Sequence, residues 1–287
     1  MSFTTTSGRL ELLAPDDAWV QRPRLVEAKV LDHQHVADRY WSLRLYAPEI
    51  AENAQPGQFV MLTVAQAPEN TPVLPRPMAI YTTDVPRGSI EVMYGVVGLG
   101  TSRLTKIPAG ATITTVGPLG QGFRINADTR RILLVGRGIG TCSLTSLAFR
   151  AAQLGVAVTA VDSARSAHAL IADETYRRAG VDDLIQVTDT DGTSDPYAVQ
   201  AALVALPNVQ PDQIYTCGSL RLTRLCAALA GRWGAEVQVS LEAHMACGLG
   251  YCHGCATGTQ SADEESPLIC RDGPVFKVSR EPAPDPG

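Results

Sequence analysis

The sequence predicts a multidomain chain: an antiparallel β-barrel, then a doubly wound α/β unit, then a small loop-rich C-terminal module. Three observations predict it. Short runs of branched residues, cut by Gly and Pro turns, fill residues 23–127 in the manner of barrel strands. Strand and helix patterns alternate over 128–240, which marks a parallel sheet covered by helices. Regular patterning stops over 241–280, where four cysteines appear.

Residues 1–22 carry no pattern and read as an extension. The barrel strands are expected at 25–31, 40–47, 58–64, 78–83, 89–97 and 111–117, with QPGQ, VPRG and IPAG as turns between them. RRILLVG opens the α/β half as a buried strand, followed by a glycine turn and a helix to about Leu154. The next strand is VAVTAVD, and residues 167–179 read as a helix closed by Gly180. DLIQVTD is a strand, and Pro196 sits where a first-turn proline belongs in the helix PYAVQAALVAL. QIYTCG is a strand, Ser219 caps the helix LRLTRLCAALAGRW, and EVQVSLE ends the run. The tail, 281–287, is expected to be unstructured.

With 45% hydrophobic residues, the chain can fill real cores. A net charge of -5 without a basic block argues against nucleic acid as a partner. No apolar run approaches the length of a membrane span, since Arg137 interrupts the longest candidate. The N-terminus lacks a cationic stretch followed by an apolar one, so a cytoplasmic setting with reduced thiols is expected.

Cys247, Cys252 and Cys255 lie in MACGLGYCHGC, and Cys270 follows in LICRDGPVF. The spacing C-x4-C-x2-C with a distant fourth cysteine is the plant-type pattern for a [2Fe-2S] cluster. Thiolates are soft, strongly donating ligands that suit iron. Zinc remains open on spacing alone, although it favours paired C-x2-C knuckles. His253, inside the loop, reads as a solvent-facing residue.

Gly136-Arg137-Gly138-Ile139-Gly140 joins the first parallel strand to its helix, where backbone amides attract phosphate. A tight strand–helix turn is the plainer alternative. Arg137 could clamp a pyrophosphate or face solvent. Arg76 opens an RP dipeptide in the barrel and would pair with a phosphate if buried beside one. Gly100-Thr101 could offer amides and a hydroxyl to a second phosphate, or form an ordinary turn. Cys217 ends a parallel strand at the edge where ligands bind. Cys226 and Cys142 read as packing. Asp162 and Arg165, near the second parallel strand, give opposite hints about NADH and NADPH.

In order, the chain presents an RP-x-x-I motif, G-T, GPLGQGF, a glycine loop, TCGS, the cysteine loop and CRDGPVF. This order resembles the electron-transfer subunits of bacterial two-subunit, NAD-linked dihydroorotate dehydrogenases, within the ferredoxin reductase superfamily. The resemblance spans nearly all of residues 24–278. It implies FAD on the barrel, held by Arg76-Pro77-Met78-Ala79-Ile80 with Gly98, Gly100 and Thr101. It implies NAD(H) on the α/β unit, around Gly136, Gly138, Gly140, Cys217 and Gly218. It places a [2Fe-2S] cluster on Cys247, Cys252, Cys255 and Cys270, facing a flavin-containing catalytic subunit, and so implies a role in pyrimidine synthesis. The chain departs from that family at Ala79, Leu99, Arg137 and Cys142-Ser143.

Nicotinamide moves two electrons at once and a [2Fe-2S] cluster takes one, so a flavin belongs between them. The chain is therefore expected to be an electron-transfer component with no acid–base pair for an organic substrate. A reductase for an oxygenase or demethylase, and a zinc-stabilised binding protein, are the alternative readings.

Overall fold

The computed structural model describes residues 9–13, 23–65, 71–207, 209–258 and 265–279. The first half closes into a six-stranded antiparallel barrel. Its strands are β2 (Arg24–Ala37), β3 (Tyr40–Tyr46), β4 (Phe59–Leu62), β5 (Arg76–Asp84), β6 (Ser89–Gly95) and β7 (Thr112–Leu119), ordered β2-β3-β6-β5-β4-β7 around the wall. Each expected barrel strand is present. Closure leaves no free sheet edge, and Leu43, Leu45, Leu62, Val92 and Ile113 fill the interior.

Two short helices in this half lay outside the sequence reading. Helix α1 (Pro48–Asn53) starts with proline in its first turn and buries Ile50 and Ala51. Helix α2 (Leu99–Leu104) starts directly after Gly98, where the glycines read as a turn.

The second half is a seven-stranded sheet, in which β1 (Arg9–Glu11) and β13 (Val275–Ser279) precede β12, β11, β8, β9 and β10 in that order. The parallel strands are β8 (Arg131–Arg137), β9 (Ala157–Ala164), β10 (Asp183–Thr188), β11 (Gln213–Cys217) and β12 (Glu236–Ser240). Helices α3 (Cys142–Gln153), α4 (Asp173–Arg178), α5 (Pro196–Ala205) and α6 (Leu220–Trp233) connect them. Asp195 caps α5 by accepting from the Tyr197 amide, and Ser219 caps α6 by accepting from Leu222, as a proline-led start and a serine cap require. Gly234 closes α6 in the left-handed region.

Three differences from expectation have physical causes. The helix expected over 167–179 is a 3-10 turn at Ala167–Ala169 and then α4. Leu170 is extended between them, and the chain runs against the barrel there, where the Tyr81 hydroxyl donates to Thr175 Oγ1 at 2.7 Å. The N-terminal stretch, expected to be an unpatterned extension, contributes β1 (Arg9–Glu11). That strand pairs antiparallel with β13 (Val275–Ser279), which itself pairs antiparallel with β12. Residues 1–8 and 14–22 and the tail 281–287 lie outside the described residues.

The two halves are joined along a broad contact. Thr145 Oγ1 on α3 donates to the Tyr81 carbonyl on β5 at 2.6 Å. In the connector, the Arg124 carbonyl accepts from Gln213, Tyr215 and Gln238, so the sheet grips the link at one point. The cysteine module, between β12 and β13, packs Leu268, Ile269 and Cys270 into the sheet's own core cluster.

Candidate functional site

One cavity of about 350 Å³ collects residues from all three parts. The barrel supplies Tyr40, Tyr94 and the run Arg76-Pro77-Met78-Ala79, with Thr101 behind them. The α/β unit supplies Gly140, Ser143 and Cys217, and the segment Glu242–Met245 leads from β12 towards Cys247. Tyr40, Tyr94 and Glu242–Met245 lay outside the sequence's site assignment. Tyr94 falls within an expected barrel strand and carries no motif of its own; the 242–245 segment has no periodicity to flag it.

Tyr94 is held from behind. His33 Nδ1 is 2.8 Å from the Ile107 carbonyl, so Nδ1 carries the proton and Nε2 accepts from the Tyr94 hydroxyl at 2.7 Å. Burial pushes the Tyr94 phenol well above its ordinary range. The ring therefore presents a neutral wall.

Arg76 and Gly100 are brought together. A Cβ on Gly100 would overlap the Arg76 guanidinium, so glycine is what admits the cation over the start of α2. Arg76 Nη1 also donates to the Leu74 carbonyl at 2.7 Å. Thr101 Oγ1 is already engaged: it accepts from the Val97 and Gly98 amides and donates to the Gly98 carbonyl. That hydroxyl is spent within the turn, which leaves the Arg76 cation as the charged group beside the start of α2. Ile80 points into the barrel core, 1% exposed, rather than into the cavity.

The glycine loop is a 3-10 turn, Gly138–Thr141, leading into α3. Two of its glycines answer to packing. A Cβ on Gly136 would strike Thr141, and one on Gly140 would lie 2.5 Å from Gly218 Cα. Gly218 in turn lies against the Arg137 carbonyl, so the two loops touch backbone to backbone. Gly138, at φ +53, has open space apart from the Tyr40 hydroxyl. Cys217 faces the cavity, and burial pushes its thiol up to about 12, so it is a neutral, polarisable contact. Arg137 neither reaches for solvent nor stands free: it bonds Ser163 and Asp189. Asp162 is 1% exposed, with Oδ1 accepting from Thr141 and Oδ2 unpartnered.

The cysteines form two pairs. The Cys252 amide donates to Cys247 Sγ, and the Cys270 amide to Cys255 Sγ. Among the described residues, no three His, Cys, Asp or Glu side chains gather closely enough for a single ion. Two pairs of thiols fit a binuclear core with two ligands per iron better than one tetrahedral zinc. Backbone amides point at three of the four sulfurs. Leu249 and Cys252 amides donate to Cys247 Sγ, Gly250 to Cys270 Sγ at 3.1 Å, and Cys270 to Cys255 Sγ. Burial alone would raise the Cys247 thiol; these amides outweigh it and bring it down to about 7. Gly248, at φ +70, lets the loop press onto Met61 of the barrel, where a Cβ would collide. His253 is exposed.

A barrel that brings an arginine to the cavity, a parallel sheet with a glycine loop, and a four-cysteine module meeting there define a ferredoxin-reductase-like electron-transfer protein. Residues 242–280 match the iron–sulfur cluster binding domain of dihydroorotate dehydrogenase B. Over 252 residues the chain is 32% identical to the electron transfer subunit of dihydroorotate dehydrogenase B (NAD(+)) of Bacillus caldolyticus, covering 87% of this chain and 95% of that one. The corresponding subunit of Streptococcus thermophilus is 31% identical over 254 residues, covering 88% and 96%. The chain belongs to this family of electron transfer subunits. Among solved structures, an NADH-dependent reduced ferredoxin-NADP oxidoreductase matches with a TM-score of 0.73 at 25% identity, over 89% of this chain and 90% of that one. Phthalate dioxygenase reductase shares the fold, with a TM-score of 0.56 at 15% identity over 76% and 70%.

Proposed function

We propose that this chain passes electrons between NAD(H) and the flavin-containing catalytic subunit of a dihydroorotate dehydrogenase, through FAD and a [2Fe-2S] cluster. The observation that carries the reading is the shared cavity, where barrel, glycine loop and cysteine module meet. When bound, FAD supplies the exchange between two-electron and one-electron transfer, and the cluster supplies the one-electron exit.

The chain's own residues do the rest. Arg76, with Pro77, Met78, Ala79 and the amides around Gly98 and Gly100, holds the flavin nucleotide by charge and close backbone. Tyr94, fixed by His33, and Cys217 form apolar walls that orient flat rings and exclude water. Gly136, Gly138, Gly140 and Gly218 bring the nicotinamide loop near enough to stack against that wall. Cys247, Cys252, Cys255 and Cys270 hold the cluster, with backbone amides donating to the Cys247, Cys255 and Cys270 sulfurs. Leu249 and Tyr251, 54% and 89% exposed beside the cysteines, present an apolar face to the catalytic subunit. Among the described residues no helix is long and apolar enough to cross a membrane, and a cytoplasmic setting fits the reduced thiols.

The test is anaerobic co-purification with the catalytic subunit. NADH should bleach the flavin of this chain alone, and dihydroorotate should reduce NAD+ only when both subunits are present. Tyr251→Glu should weaken the complex at least about tenfold, the worth of about 1.4 kcal/mol at a central aromatic anchor. It should leave flavin reduction by NADH intact. Turnover of dihydroorotate by this chain alone would refute the reading.

A further inference from the structure

The C-terminal ends of β8, β9 and β10 carry a charged cluster with no part in the electron path above. Arg137, the last residue of β8, donates from Nη1 to Ser163 Oγ at 2.9 Å and from Nη2 to Asp189 Oδ2 at 2.5 Å. Asp189, directly after β10, also accepts at Oδ1 from the Ser194 hydroxyl. Arg221 Nη2, in the first turn of α6, lies 3.6 Å from that same oxygen. The hydrogen bonds from Arg137 and Ser194 bring the Asp189 carboxyl down to about 2, so it stays ionised. Asp191 adds a second carboxylate on the same turn, tied to the Thr193 amide and hydroxyl.

In open α/β sheets this edge receives the nucleotide: an acid there bonds the ribose 2′-hydroxyl, and an arginine accommodates a 2′-phosphate. Here both kinds of residue are present and are bonded to each other. A carboxylate has about four acceptor sites; Arg137 and Ser194 donate to this one, while Arg221 Nη2 donates to the Ser194 carbonyl at 3.2 Å and pairs with Asp189 by charge alone, which leaves room for a hydroxyl. A phosphate would have to displace Asp189 from two guanidiniums and meet its charge. Asp162, the acid at the end of the second strand, is shut beneath Thr141 and cannot serve.

We propose that Asp189, by masking Arg137 and Arg221, is the residue that makes this chain select NADH over NADPH, and that a latent 2′-phosphate site lies beneath it. The inference rests on the NAD(H) reading of the α/β unit.

The test is calorimetry on the full chain with its cofactors, using ADP-ribose and 2′-phospho-ADP-ribose as probes. The wild type should bind ADP-ribose more tightly. Asp189→Asn should improve the affinity ratio for the 2′-phosphorylated probe at least about tenfold, the worth of one charge-assisted hydrogen bond. That gain should fade with added salt and vanish in Asp189→Asn/Arg221→Ala, whereas Asp189→Glu should keep the native preference. Arg221→Ala alone, at a half-exposed site that folding tolerates, should widen the preference for ADP-ribose. If ADP-ribose binds but the ratio is unmoved by Asp189→Asn, or if Arg221→Ala leaves it unmoved, the masking role is wrong. If ADP-ribose does not bind the wild type, the NAD(H) reading falls, and this inference falls with it.

Discussion

Alanine at Gly140 should cost stability, whereas alanine at Gly231 should add it. The new methyl at Gly140 would sit 2.5 Å from Gly218 Cα, 2.7 Å from Gly218 N and 2.8 Å from the Cys217 carbonyl carbon. Carbon atoms in contact prefer about 3.5–4.0 Å, so the overlap is roughly 1 Å against three backbone atoms. None of them can swing aside as a side-chain tip would. Gly140 is not in the left-handed region, so alanine carries no dihedral penalty, and its stiffer unfolded chain returns about 0.4–1 kcal/mol. Overpacking of a tight contact costs about 1–3 kcal/mol. The expected net loss is about 1–2 kcal/mol, or roughly 2–8 °C in the unfolding midpoint for a unit of 150–250 residues. Gly231 lies within α6 with nothing within 4 Å of its added methyl, so Gly231→Ala should gain about 0.5–1 kcal/mol. Thermal unfolding of the flavin-loaded chain followed by circular dichroism compares the two. Equal midpoints, or a Gly140→Ala chain as stable as the wild type, would refute the contact between the glycine loop and the Cys217–Gly218 turn.

Two further outcomes are expected. Cys270→Ala should remove acid-labile sulfide and the cluster's visible absorbance while leaving FAD content unchanged; stoichiometric zinc without sulfide in the wild type would overturn the binuclear assignment. Burial raises the Asp162 carboxyl from 3.8 to about 6, so ionised Asp162 costs about 3 kcal/mol of stability. That cost is absent below about pH 4, where folded and unfolded chains are both protonated, grows as pH rises to about 6, and is full above it. Asp162→Asn should therefore be more stable than the wild type at pH 8 and level with it at pH 4, and denaturant midpoints across pH that keep a constant gap would rule this out.

Sequence reading succeeded where the signal is local. The barrel strands announce themselves because branched residues alternate with Gly and Pro turns at short range. The cysteine spacing is legible because one loop must supply three ligands. Helix α2 was hidden because Gly98, its N-cap, and Gly100, in its first turn, read as a turn; the reason for Gly100 is Arg76, more than twenty positions away. Strand β1 is three residues long, and its partner is the last strand of the sheet, so no local pattern could mark it. Arg137 read as either a pyrophosphate clamp or a solvent-facing residue because its partner, Asp189, lies 52 residues further on. Asp162 drew attention as the acid of the second strand, but burial takes it out of reach.

The cysteine module is an excursion between two neighbouring strands. β12 ends at Ser240 and β13 begins at Val275, and the two are hydrogen-bonded side by side, with Ser240 opposite Val275. The Leu241 amide donates to the Pro274 carbonyl, and the Gln121 amide to the Gly273 carbonyl, so the return path is fastened on both sides. Cys270 is therefore delivered to its three partners by the sheet, at a local concentration that a free thiol in a flexible loop would not reach. The entropy of closing a long loop is met when the sheet forms, before any iron arrives. Cluster assembly on this chain should then be an insertion into a standing frame, with an affinity set by the thiolates and their amide donors, and not a folding step in its own right.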